Sequence, residues 1–329
     1  MMRYYDFNEP RRTRRRVKRK NVKVMGFMLL AFVVLPSIIG VYVFNRDTFK
    51  PPKETLALTI APTASAQPTV IPSPTTAISQ GLQTVVQEEL EGTKGKYSVV
   101  IKHLGTGETY MYNEHQSYQA ASLYKLWVMA VAYNQIQEGK LKETDVLKSD
   151  IASINAKFNI GTDSAELKEG EVSFPVNQAL QQMVTISHNY AALLLAQKVK
   201  LSNVTEFLKQ HKYTESKIGS PPKTSAFDIA NFYESLYMGK LANNTMTTTM
   251  LDLLKKQKLN NKLPKNLPED VVVAHKTGEL GQVTHDAGIV YTKKGDYIIV
   301  VLSESTLPIG AEARIADISK GVYDYFVEK

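Results

Sequence analysis

The sequence predicts an α+β fold: a five-stranded antiparallel sheet covered by terminal helices, with an all-helical lobe alongside. Three observations carry this expectation. Apolar stretches of strand length occur in two groups, one on each side of a long middle segment. The middle segment carries its apolar residues at helical spacing. Both ends of the same region show one-sided apolar helical patterns able to cover a sheet.

The chain begins with a basic tail, residues 1–24. Residues 1–23 hold ten Lys/Arg against Asp6 and Glu9, which accounts for the whole net charge of +8. Basicity confined to a tail argues against a nucleic-acid-binding domain. Residues 25–44 are uncharged and apolar. As a helix they would span about 30 Å, the thickness of a bilayer core. The expectation is a single-pass cell-membrane anchor with a cytoplasmic N-terminus and an extracytoplasmic domain. The rival is a cleaved signal peptide, but Ala64-Ser65-Ala66 lies far beyond the apolar run. Residues 45–78 are rich in Pro, Thr and Ser and read as an extended linker. The folded domain is expected over 79–329. The chain has no cysteine, so disulfides and thiolate chemistry are excluded.

Leu82, Val85, Val86 and Leu90 recur at helical spacing. Residues 97–101 and 108–112 read as two strands joined by the turn Leu104-Gly105-Thr106-Gly107. An apolar run, 126–133, follows Ser122 and stops at Gly139, as a buried helix would. Ser173-Phe174-Pro175 is expected to open a helix carrying Val176, Ala179, Leu180, Met183 and Val184. Asn189 and Asn203 are candidate caps of the next two helices. Ser225-Ala226-Phe227-Asp228 resembles a capping box, and residues 246–258 read as a further helix. Strands are expected over 271–277, 285–291 and 297–302. Ile315, Ile318, Val322 and Phe326 give the closing helix one apolar face.

Chemistry concentrates at Ser122-Leu123-Tyr124-Lys125. Residues three apart share a helix face, with Cβ atoms about 5–6 Å apart. A serine hydroxyl is a poor nucleophile until a base takes its proton. A lysine amine can be that base when burial or a nearby cation lowers its pKa. A serine that only caps a helix and a solvated lysine would give the same four letters. Two further motifs change the weight: Ser187-His188-Asn189 and Lys276-Thr277-Gly278. Lys125 and Lys276, brought together, would each make the other harder to protonate.

S-x-x-K, S-x-N and K-T-G in this order resemble the class A β-lactamase and penicillin-binding serine acyl-enzyme family. The resemblance covers residues from about 80 to 327. It implies a β-lactamase/transpeptidase-like fold in which Ser122 is acylated and Lys125 accepts its proton. Ser187 would relay a proton to the departing nitrogen, and Asn189 would bind the substrate amide. Lys276 would hold Ser187 and a substrate carboxylate, and Thr277 would offer that carboxylate a hydroxyl. Gly278 would let the ligand lie close to the strand. The backbone N–H groups of Ser122 and Glu279 would form the oxyanion hole, where one donor is typically worth about 10²–10³ in rate. His188 reads as structural. His275 and His285 lack a third regularly spaced ligand, so no metal is expected, and no cofactor either.

One departure stands out. The family carries a water-activating glutamate within E-x-x-L-N, in a loop after the helical lobe. Here the corresponding stretch, 212–227, reads as a shortened loop whose one acid ahead of Asp228 is Glu215. Three functions follow: a β-lactamase with slow deacylation, a D-alanyl-D-alanine peptidase acting on peptidoglycan, or a binding module without turnover.

Overall fold

A computed structural model describes residues 79–328, all within one compact unit. Helix α1 (Gln80–Leu90) starts where Ser79 caps it, the serine Oγ accepting from the Leu82 N–H at 3.3 Å. Strands β1 (Lys96–His103) and β2 (Thr109–Tyr112) form the expected hairpin. A two-residue strand β3 (Tyr118–Gln119) leads into a 3₁₀ turn, Ala121–Leu123, and then helix α2 (Tyr124–Gln137). Gly139, at φ +71°, takes the left-handed conformation that ends this helix.

The helical lobe follows: β4 (Val146–Asp150), α3 (Ile151–Lys157), β5 (Glu171–Pro175), α4 (Val176–Thr185), α5 (Asn189–Val199) and α6 (Leu201–Gln210). After β6 (Lys223–Thr224) come α7 (Ala226–Tyr237) and α8 (Asn244–Leu254). The chain returns to the sheet as β7 (Val272–Leu280), β8 (Val283–Tyr291) and β9 (Tyr297–Glu304), and closes with α9 (Pro308–Glu328). The sheet is five-stranded and antiparallel, in the order β2-β1-β9-β8-β7.

Alternation along the central strand explains the layering. Ile298, Val300 and Leu302 of β9 join the core shared with the helical lobe. Tyr297, Ile299 and Val301 point the other way, into a second core under α1 and α9. Helix α2 is buried on every side from Lys125 to Tyr133, as its unbroken apolar run requires.

Local expectations differ at several points. Glu171–Pro175 pairs with β4 as a strand, so Pro175 precedes α4 instead of sitting inside it. His188, not Asn189, caps α5: its Nδ1 accepts from the Ala191 N–H at 3.2 Å. Asn203 lies within the first turn of α6 and donates to the Val199 carbonyl. Ser225 does cap α7, but Asp228 accepts from the Glu215 N–H at 2.9 Å instead of closing a capping box.

Two larger expectations are corrected. The tail, the 25–44 anchor and the 45–78 linker lie outside the described residues. Among the described residues, no helix is long and apolar enough to cross a membrane. The 21-residue α9 is interrupted by Glu312, Arg314, Asp317, Lys320 and Asp324, each costly in hydrocarbon. The single-pass topology, the membrane partner and the extracytoplasmic placement therefore find no support. Nor does the expectation of a shortened loop over 212–227 find support in this segment. The segment closes on itself as an ordered unit through the Lys217–Lys223 bridge and a 2.8 Å bond between Ser216 Oγ and Thr224 Oγ1. The Pro222 carbonyl then accepts from Ala120 N–H at 2.8 Å, fixing the loop to the segment before Ser122.

Candidate active site

Edge strand β7 packs against the 3₁₀ turn that carries Ser122. Gly278 makes this approach possible. A Cβ there would lie 3.2 Å from Leu123 Cγ and 3.3 Å from both the Ala120 carbonyl oxygen and His285 Cδ2. The missing side chain thus serves the chain's own turn. Ala121 just before Ser122 sits at φ +44°, and Ser187 at φ +57°. Such conformations cost a non-glycine residue on the order of 1 kcal/mol and cluster where a side chain must be aimed.

Ser122 is half-buried, and among the described residues its hydroxyl has no protein partner. It does not cap α2, which begins at Tyr124 without any side-chain cap. The capping explanation of this serine is thereby removed. Lys125 is fully buried, yet its ammonium is not hydrogen-bonded to Ser122. It donates to the Ser187 carbonyl oxygen at 2.6 Å, to Ser187 Oγ at 3.1 Å and to Asn189 Oδ1 at 2.8 Å. From the opposite side Lys276 Nζ reaches the same Ser187 Oγ at 3.0 Å and the Thr277 carbonyl oxygen at 2.8 Å. The two lysines therefore meet on one hydroxyl, as their expected proximity requires.

Burial holds the Lys125 ammonium well below the ordinary lysine range, and the Lys276 charge pushes the same way. Burial also brings Lys276 down to about 7, against the attraction of Asp286. Among the described residues, the carboxylate whose charge is felt at Lys125 is that of Glu166. Glu166 also accepts a short hydrogen bond from Asn189 Nδ2, on the side chain expected to bind the substrate amide. Sequence reasoning missed Glu166. It stands among Asp163, Glu169 and Glu171 in a polar stretch without periodicity, so no local signal separates it from its neighbours.

Thr277, Gly278 and Glu279 lie along β7 opposite Asp286, His285 and Thr284. Thr277 is buried, and the Glu279 carboxylate is paired with Lys262. Glu215 is turned elsewhere, its Oε1 2.7 Å from His115 Nδ1. His188 is held at its cap and lies edge-on to Phe174. His275 spans Asp286 at 2.9 Å and Asn260 at 3.1 Å, and His285 bonds the Gln119 carbonyl at 2.9 Å.

Comparison with known proteins matches residues 79–326 to the beta-lactamase enzyme family. Beta-lactamase VEB-1 of Pseudomonas aeruginosa is 23% identical over 288 residues, 77% of this chain and 93% of that protein. The beta-lactamase structure from Sphaerobacter thermophilus superposes with a TM-score of 0.66 at 23% identity, covering 76% of this chain and 98% of that one. PBP-A gives a TM-score of 0.67 at 20% identity, covering 76% and 97%. A PBP-A mutant is known as an acyl-enzyme complex with penicillin G. The family match spans residues 79–326, which include 212–227, and the comparisons give no sign of a shortened loop.

Proposed function

The chain belongs to the beta-lactamase enzyme family, and from that premise we propose that it is a serine hydrolase acylated at Ser122 by β-lactams, with slow release of the acyl group. The observation that carries this reading is the convergence of two buried, pKa-lowered lysines on Ser187 Oγ beside an unpartnered serine. A neutral Lys125 takes the Ser122 hydroxyl proton as Oγ bonds to the carbonyl carbon. The oxyanion that forms faces the backbone N–H groups of Ser122 and Glu279. As the C–N bond breaks, Ser187 gives its proton to the departing nitrogen and regains one from a lysine ammonium. The acyl group stays on Ser122, and the amine, freed from the carbonyl but still tethered through the opened lactam ring, ends with the equivalent of the serine's proton.

Hydrolysis of that ester needs an activated water. Glu215 is engaged with His115, and Glu166 is tied to Asn189 and makes no hydrogen bond to Lys125. A general base for water is typically worth about 10²–10⁴ in rate. The acyl-enzyme therefore accumulates. A second reading, a D-alanyl-D-alanine peptidase, draws on the same first half-reaction and on the fold likeness to PBP-A.

Mass spectrometry of the folded domain mixed with a penicillin, followed over time, tests both parts. The expected result is a stoichiometric adduct that decays slowly and is absent in Ser122→Ala. Rapid hydrolysis without an adduct, or an adduct on Ser122→Ala, would overturn the reading.

A further inference from the structure

Lys262 is an unusual cation. Its side chain is 0% exposed, yet the carboxylate that balances it belongs to Glu279, whose side chain is 52% exposed. Among the described residues, the one other hydrogen-bond partner of its ammonium is Asn261 Oδ1 at 3.4 Å. The segment carrying Lys262 is pinned on both sides. Asn260 Oδ1 pairs with His275 Nε2 at 3.1 Å, and the Leu263 N–H donates to Asp286 Oδ2 at 3.1 Å. Asp286 in turn holds His275 Nδ1 and the Ala287 N–H. The cation is therefore fixed, and the anion is the partner free to swing into solvent.

The pair also sits at the right place. Glu279 follows Lys276-Thr277-Gly278 on edge strand β7, and the charges of both Lys262 and Glu279 are felt at Lys276. A buried ammonium must keep a counter-ion, because an unpaired charge in low dielectric is costly. An exposed carboxylate is readily returned to water. Exchange of one carboxylate for another at Lys262 preserves the charge balance of the interior and demands little rearrangement.

We propose that Glu279 is a displaceable gate on Lys262: a ligand carboxylate arriving at the Lys276-Thr277-Gly278 edge replaces the Glu279 carboxylate as the counter-ion of the buried ammonium. The chemical class selected is an acyl donor that bears a separate free carboxylate. The gate weakens binding of such ligands in the native protein, since each must compete with a carboxylate held at high local concentration. Its placement in the cleft rests on the acyl-serine reading above.

Binding of benzylpenicillin and of its methyl ester to the Ser122→Ala protein, measured by calorimetry, separates recognition from acylation. The quantity read is the preference for acid over ester, in which general effects on the cleft cancel. Glu279→Gln removes the competing charge and should raise that preference about tenfold, the scale of one charge-assisted hydrogen bond. Lys262→Met, close in volume and apolar, should lower it about tenfold. An unchanged preference in Glu279→Gln, or shifts of the same sign in both variants, would overturn the gate. The acyl-serine reading falls separately, through absence of a Ser122 adduct in the wild-type protein, whatever the two preferences show.

Discussion

Lys125 and Ser187 are joined twice: the lysine ammonium lies 2.6 Å from the serine carbonyl oxygen and 3.1 Å from its hydroxyl. Ser187 Oγ also receives Lys276 at 3.0 Å. A hydroxyl has two acceptor sites and one proton, so it can accept from both ammoniums or give its proton to one neutral amine. The lowered lysine pKa values favour the second arrangement.

Lys125→Met should reduce labelling of Ser122 by a fluorescent penicillin about 10²–10⁴-fold, the ordinary worth of a general base. The thermal midpoint should change little, because the relief of a desolvated amine offsets the hydrogen bonds lost by Ser187 and Asn189. Labelling at the native rate would reassign the base.

Acylation should depend on pH far below the range of a free lysine, about 10.4. Its rate rises as Lys125 loses its proton, and burial sets that limb low. Single-turnover labelling across pH 5–10 checks this; a limb near the free-lysine value would refute it. Glu166 raises the Lys125 pKa, so Glu166→Gln should move the same limb to lower pH. A trapped adduct appearing only in Glu166→Gln would instead identify Glu166 as the water-activating acid.

Stability carries its own pH signature. Lys276 has a folded pKa of about 7, below its ordinary value of 10.5. Between these values the unfolded chain binds the proton that the folded protein has released. Stability contributed by this group therefore rises with pH across that window and is lost below it. Denaturation midpoints from pH 6 to 10 should rise in the native protein and rise less in Lys276→Met.

Gly278→Ala should impair chemistry more than folding. The new Cβ, 3.2 Å from Leu123 Cγ, would push the Ser122 turn by a few tenths of an ångström. A displacement of about 1 Å at a reacting group can cost about 10²-fold. Ser122 labelling should fall by about tenfold with a midpoint shift of only a few degrees. Unaltered labelling would mean that the turn yields freely.

Much of the architecture is legible in residue patterns because its causes are local. Short apolar runs bounded by turn residues marked the five strands, and one-sided helical spacing marked α1 and α9. The short pairings were not legible. Tyr118–Gln119 meets Lys223–Thr224 over two residues, too few for any period to show. Glu171–Pro175 pairs with Val146–Asp150 across a polar segment, and its last residue, Pro175, also stands at the start of α4, so the helix signal masks the strand before it.

By itself the sequence determined the element types, the order of the three motifs and the apolar run that buries Lys125, since each depends on neighbours along the chain. Tertiary structure decided where the charges point. Lys125 turns from Ser122 toward Ser187 and Asn189, Glu166 closes on Asn189, and Lys262 is left buried against Glu279. These contacts join residues from 17 to 64 positions apart. No spacing rule reaches that far, because the intervening loops set the approach of the side chains, and the desolvation that shifts their pKa values exists only once both lobes have closed around them.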